Sequence, residues 1–294
     1  MRRVLAVLIA AGALSAGCGS HSSRGTTLGS ILDRPGPNVA LTPGAQEFVP
    51  GEVRFPFLVI RSDARPVVRP AATLWAATSR DGKPFARVRA RLEPIGLPGR
   101  SEAAFGGVRS LYVAHLRIRR PGRYWLVAQP DRTRIQAFWT LEVTPRGRSV
   151  PVGAKAPRSR TPTLADAPAA QITTSRPPDL PLLRSSVAGA LAAHAPFVVT
   201  FATPKFCSSR TCGPVVDVVE AVRRRFAARG VRFIHVEVYR DNDPANGYDR
   251  WMREWGLATE PWVFLVGRDG RVKAKFEGSV SEAELAAAVR SKLL

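Results

Sequence analysis

Residues 196–214 read PFVVTFATPKFCSSRTCGP. The first seven, Pro196 to Ala202, form an unbroken apolar, β-branched run, the pattern of a central strand covered on both faces. Beyond the run, Val215, Val218, Val219, Val222 and Phe226 fall on one face of a helix. Pro214 suits a first helical position, where its missing N–H had no partner to lose. Gly230 is placed to close that helix. Between strand and helix lies a loop with two cysteines, Cys207 and Cys212.

The pattern extends outward from this unit. Ser185–His194 reads as a short helix. Val231–Tyr239 is the next strand, 241–247 a loop, and Tyr248–Trp255 a short helix ended by Gly256. Pro261–Val266 is another buried strand, 267–270 a turn, and Arg271–Glu277 pairs back. Ser281 and Glu284 have capping-box spacing, and the last helix carries Leu285, Val289 and Leu293 on one face. The order is strand, helix, strand, helix, strand, strand, helix. Two parallel crossovers followed by a hairpin and a packing helix are expected. With a cysteine pair after the first strand, residues 185–294 resemble the thioredoxin family. The stretch from Gly256 to Gly270 carries the resemblance furthest, because Pro261 matches the proline that opens a strand opposite the active-site cysteine. The resemblance implies a thioredoxin-like α/β fold, a cis bond at Pro261 and thiol-disulfide oxidoreductase chemistry.

The family's motif is C-x-x-C, whereas Cys207 and Cys212 are C-x4-C. Inside one helix, residues five apart diverge by about 140° with Cα atoms over roughly 7 Å apart, too far for a disulfide. Residues 208–211 must therefore be a non-helical loop for the pair to close. The following helix N-terminus favours a thiolate, and Arg210 adds positive charge. Cys207 corresponds to the family's first cysteine and is taken as the more exposed, attacking one. Cys212-Gly213-Pro214 copies the first three motif residues, with Val215 in place of the second cysteine, so the roles stay open. Glu260, before Pro261, stands where the family has Thr. Either its carboxylate faces the attacking sulfur and raises the thiol pKa against Arg210, or it points into solvent. The pair itself is either redox-active or a permanent disulfide, whose small ring would stabilise the fold by ~2 kcal/mol.

The start of the chain fixes the expected compartment. Arg2 and Arg3 precede an apolar stretch, 4–14, that is too short to span a bilayer and reads as a signal segment. Leu14-Ser15-Ala16-Gly17-Cys18 resembles the lipobox of bacterial lipoproteins, with Ser15 in place of the usual Leu. The resemblance implies lipidation of Cys18 and an extracytoplasmic membrane anchor, where disulfides persist. Cys207 and Cys212 then remain as the only thiols, since the chain has three Cys. The expected organisation is a signal peptide, 1–18; a flexible tether, 19–44; an all-β region, 45–145; a Pro-rich linker or extension, 146–184; and the thioredoxin-like region, 185–294.

In the all-β region, short alternating segments are separated by turn signals such as Asp81-Gly82 and Pro121-Gly122. Tyr112, Ala114, Leu116 and Ile118 share one face of a half-buried strand. The pattern resembles the immunoglobulin-like sandwiches that precede thioredoxin domains in some lipoproteins. Residues 146–184 lack periodicity, as a disordered linker does. Within them, Val152-Gly153-Ala154-Lys155-Ala156-Pro157 resembles the segment that leads an extension packed on the core of peroxiredoxins and tethered oxidoreductases.

The formal charge is +21, from 44 basic and 23 acidic residues. Arg accounts for 38 of the basic residues and is spread evenly, with no helix-turn-helix, zinc-ligand spacing or RNA-binding aromatic motif. No specific nucleic-acid partner is implied, and neither is a cofactor. A copper-binding protein of the same fold would need a downstream His; His21, His115, His194 and His235 all precede Pro261. A peroxidase would want Thr three residues before Cys207, and Thr203 is four before. A scaffold lipoprotein with a structural disulfide is the third alternative. The reading is a monomeric, lipid-anchored oxidoreductase acting on extracytoplasmic protein thiols or disulfides.

Overall fold

The structure, a computed structural model, describes residues 26–99 and 107–294. Arg2, Arg3, the apolar segment, Cys18 and His21 lie outside the described residues.

The N-terminal part contains α1 (Leu28–Leu32) and seven strands: β1 (Val39–Pro43), β2 (Gly51–Arg61), β3 (Ala71–Ala77), β4 (Ala86–Pro94), β5 (Ser110–Ile118), β6 (Gly122–Pro130) and β7 (Ala137–Val143). All pairings are antiparallel, in the order β1-β2-β5-β4-β3-β6-β7. The two packed layers expected of a sandwich are replaced by one continuous sheet, curled until β1 lies beside β7. The cause is partner switching. β2 pairs with β1 through Phe57–Arg61 and with β5 through Gly51–Phe57. β5 in turn pairs with β4 at its start and β2 further along. Hydrogen bonding therefore continues around the corners instead of breaking there. Inside, Phe48, Phe55, Phe57 and Tyr112 form a chain of rings with centroids 5.3–5.7 Å apart. Tyr112 satisfies its buried hydroxyl by donating to the Val67 carbonyl, 2.9 Å. Tyr112, Ala114, Leu116 and Ile118 are all buried, as their alternation indicated.

The C-terminal part contains α3 (Val187–Ala192), β8 (Phe197–Phe201), α4 (Cys212–Phe226), β9 (Arg232–Val236), α5 (Arg250–Glu254), β10 (Trp262–Val266), β11 (Val272–Glu277) and α6 (Glu282–Lys292), after α2 (Ala169–Ile172). Its sheet order is β11-β10-β8-β9. β8 and β9 are parallel, but β10 is antiparallel to both β8 and β11. The second crossover is thus not parallel: after α5 the chain re-enters the sheet from the opposite end. Successive residues of β8 face opposite sides. Val198 packs with Val215, Val219 and Val222 of α4 and with Leu285 of α6. Phe197, Val199 and Phe201 pack with Val187, Met252 and Trp255. Both faces are covered, which explains why the strand has no polar alternation. Ser281 and Glu284 form the capping box.

The segment expected to be a loose tether, and the one read as either a linker or a packed extension, are both part of the fold. Leu28 and Ile31, inside the expected tether, are buried against Ala77 and Val127. Within 146–184, Gly153 N–H donates to the Val272 carbonyl, Val272 N–H to Ala154, and Ala156 N–H to Gly270, 2.8–2.9 Å. The segment therefore covers the edge of β11. Ser149, Ser159, Thr161 and Thr173 are buried in it. Their hydroxyls work internally, for example Ser159 accepting from the Trp255 indole, 3.1 Å. Composition alone reads such residues as solvated.

Polar contacts fasten the two parts together. Arg54 of β2 makes a two-pronged ion pair with Glu284 of α6, 2.8 and 2.9 Å, and donates to the Ser279 carbonyl. Lys275 of β11 reaches Glu47, 2.8 Å. Glu277 accepts the backbone N–H groups of Gln46 and Glu47, 2.9 and 2.7 Å. Arg54 and Glu284 are 14% and 15% exposed, so solvent screens them little. Burial alone would raise the Glu284 pKa, but the Arg54 hydrogen bonds and charge hold it below its ordinary value. Arg54→Met leaves this carboxylate unpaired and is expected to cost about 2 kcal/mol of stability at pH 7. Because the folded-state pKa is depressed, that stabilisation is lost as pH falls through the carboxylate range. Urea denaturation at pH 7 and pH 3 should show the wild-type advantage shrinking in acid.

Candidate redox-active site

The site is built where β8 ends. Cys207 N–H donates to the Thr203 carbonyl and Arg210 N–H to the Cys207 carbonyl, both 3.0 Å, so residues 203–210 form two successive tight turns. Arg210 takes a left-handed φ of +52°, which reverses the chain into α4. Thr211 is the N-cap, and Val215 N–H bonds to its carbonyl, 2.9 Å. The helix starts at Cys212, two residues before Pro214. Pro214 is still tolerated, since the first four N–H groups of a helix have no intrahelical partner. Residues 208–211 are non-helical, as the x4 spacing demands.

The two cysteines are neighbours in the same apolar cluster. Cys207 is 8% exposed and Cys212 is fully buried. The Cys207 sulfur accepts the Cys212 backbone N–H at 3.3 Å and lies 3.2 Å from the Ser209 hydroxyl, which lies 2.6 Å from the Thr211 hydroxyl. These donors stand at the positive end of α4. The Cys207 pKa is brought down to about 5. The largest cause is a hydrogen bond from the Cys212 thiol; burial opposes it, and Ser209 and the Cys212 and Thr211 backbone add to the lowering. The Cys212 pKa moves upward, first through burial, then because its proton is engaged by Cys207 and because the Cys207 and Glu260 charges oppose a second anion. At neutral pH the pair is one thiolate and one thiol.

Arg210, expected to add charge beside the pair, is exposed. Its visible part is in the backbone, while hydrogen bonds dominate at the sulfur. Glu260 precedes Pro261 through a cis peptide bond. Of its two readings, the inward placement matches the structure but the effect expected on the attacking sulfur does not: Glu260 is partly buried and accepts a hydrogen bond from the Tyr248 hydroxyl, 3.1 Å, while the Cys207 pKa is lowered and the carboxylate's charge raises that of Cys212. Burial raises its pKa, the Tyr248 bond counters this, and the Cys207 charge raises it further. Tyr239 stacks on Tyr248 with centroids 5.2 Å apart, and Phe206 packs edge-on against Tyr239. Sequence reasoning missed this aromatic group and Ser209. The sequence signal available for Ser209 was a hydroxyl inside a cysteine loop, and for the tyrosines a pair flanking the 241–247 loop. His235 is buried, with Nε2 3.0 Å from the Ala202 carbonyl and Nδ1 3.4 Å from the Thr173 hydroxyl, a packed position inside the sheet.

Two outcomes follow from this geometry. Ser209→Ala removes one donor, so the pH at which Cys207 begins to react with iodoacetamide should rise by about half a unit to one unit, corresponding to roughly 1 kcal/mol. Glu260→Gln removes a negative charge near the buried thiol. In a Cys207→Ser background it should move Cys212 alkylation to lower pH. An unchanged or higher inflection would show that the carboxylate does not act on Cys212.

No protein-family model and no curated protein sequence matches this chain. Twelve chains of solved structures match. One is a thiol:disulfide interchange protein of the thioredoxin family from Chlorobium tepidum TLS, 19% identical, with 34% of this chain and 81% of that chain covered and a TM-score of 0.26.

Proposed function

We propose that this chain is a thioredoxin-like thiol-disulfide oxidoreductase, anchored through a lipid on Cys18 and acting on protein thiols or disulfides outside the cytoplasm. The observation that carries the reading is the Cys207 sulfur receiving the Cys212 N–H at the start of α4, with a buried, protonated Cys212 behind it. A permanent structural disulfide needs no such asymmetry. The lipobox-like residues 14–18 support the anchor, and an oxidising compartment suits the chemistry.

The steps follow from the two pKa directions. The Cys207 thiolate attacks one sulfur of a partner disulfide; the new S–S bond forms as the partner's bond breaks, and the partner's other sulfur leaves as a thiolate. Cys212 then gives up its proton and attacks Cys207. The partner's second sulfur leaves, and that proton balances one of the two thiolates released. Two electrons have passed to the partner, and Cys207–Cys212 is a disulfide. In reverse, the disulfide oxidises a partner dithiol. A thiolate with a pKa of about 5 in place of an ordinary 8.5 stabilises the reduced form at pH 7 by about 2–3 kcal/mol, raising the two-electron potential by on the order of 50 mV. That biases the couple toward oxidising its partners.

Thiol trapping across a graded redox buffer should give one two-electron transition for the full chain, and Cys212→Ser should accumulate mixed disulfides through Cys207. A bond that yields only to harsh reduction, together with no trapped partner, would sink the reading in favour of a structural disulfide.

A further inference from the structure

A cleft of about 200 Å³ lies between the two parts of the molecule, against the cysteine loop. One wall comes from the N-terminal sheet, with Leu58 of β2, Ile95 just beyond β4 and Leu111 of β5. The other holds Ser209 and Thr211, the hydroxyl residues beside Cys207, and Glu260. Ile95, Leu111 and Leu58 belong to a small apolar cluster of their own, separate from the main core of that sheet. The chain has 44 basic residues, yet no Lys or Arg is among the described residues lining the cleft. Its two carboxylates are already engaged. Glu260 accepts from Tyr248, and Glu277 accepts from two backbone N–H groups and from Thr259, 2.8 Å. The open surface of the cleft is therefore mainly apolar, and the only charged side chains among its described lining residues are these two engaged carboxylates.

We propose that this cleft seats an apolar side chain next to the reactive cysteine of a partner polypeptide, so that Leu58, Ile95 and Leu111 of the N-terminal sheet select the partner. The proposal rests on the oxidoreductase reading above. Three observations carry it. The cleft is continuous with the loop that presents the Cys207 sulfur, so a residue flanking a cysteine bound there falls into it. Its volume suits one or two side chains and is below the roughly 300–1,000 Å³ of sites for whole small ligands. With no cation on its walls, it offers nothing to the carboxylates of a small anionic thiol. The N-terminal part is then half of the binding site, and the ion pairs joining the parts hold its wall in place.

The test uses the full chain carrying Cys212→Ser. Synthetic peptides bear one cysteine as a mixed disulfide with 2-mercaptoethanol, flanked by Leu in one peptide and Asp in the other. The Cys207 thiolate attacks the peptide sulfur, and 2-mercaptoethanol leaves as a thiolate that takes a proton from water. Rates are read relative to that with 2-hydroxyethyl disulfide for each variant. The Leu peptide should react about tenfold faster than the Asp peptide, the scale of burying one aliphatic side chain in part. Thr42→Trp, at an exposed rim position, should fill the cleft and bring the peptide ratio near one; Leu58→Gln should do the same by making the wall polar. Equal rates for the two peptides overturn the proposal while leaving the oxidoreductase reading intact. Faster reaction with glutathione disulfide than with either peptide also overturns it. Absence of reaction with any disulfide removes both the reading and the proposal.

Discussion

A sulfur anion buried to 8% exposure survives only if donors replace its water. At Cys207 the replacements are the Cys212 N–H, the Ser209 hydroxyl and the Cys212 thiol. Everything around the site serves to hold these in place. The two tight turns after β8 bring Cys207 back over the first turn of α4, and the left-handed Arg210 lets four loop residues span a gap that a helix could not close. The same hydrogen bond that stabilises one sulfur as an anion keeps the proton on the other. The asymmetry of the pair thus joins this shared bond to the full burial of Cys212 and the further donors at Cys207.

The surrounding architecture keeps that corner rigid and apolar. Both faces of β8 are packed, so its end has little freedom. Residues 153–156 bond across the start of β11, and the stretch 146–184 buries several of its Ser and Thr residues. Across the junction, Arg54 and Glu284, Lys275 and Glu47, and Glu277 with two backbone donors fix the N-terminal sheet beside the cysteine loop. These are half-buried, multiply bonded pairs, the kind that orient parts rather than merely decorate a surface.

The α/β half was legible because its signals are local. PFVVTFA, the valine stripe of α4 and the Ser281–Glu284 box each act within a few residues and appear where expected, whereas Gly230 caps a 3-10 turn, residues 227–229, that follows the end of α4 at Phe226. The direction of β10 was not legible, because it depends on which end of the sheet the chain re-enters after α5. Nor was the single curled sheet, since whether β2 breaks or bends between β1 and β5 is decided by pairing across the fold. Most of the ordered stretch 146–184 hid behind its Pro, Ser and Thr content, although Val152–Pro157 pointed to a packed extension. At the site, the cysteine pair, the loop and cis-Pro261 were foreseen, whereas the orientation of Glu260 and the Tyr239–Tyr248 stack arise from contacts between residues distant along the chain or separated by a loop.

At neutral pH Cys207 is a thiolate and Cys212 a thiol. The most direct measurement is the ¹³Cβ chemical shift of both cysteines in the reduced protein, followed by NMR from pH 4 to pH 10. Cys207 is expected to titrate near pH 5 while Cys212 holds its thiol shift until well above pH 9. Two cysteines titrating together near the ordinary thiol value of about 8.5 would contradict it.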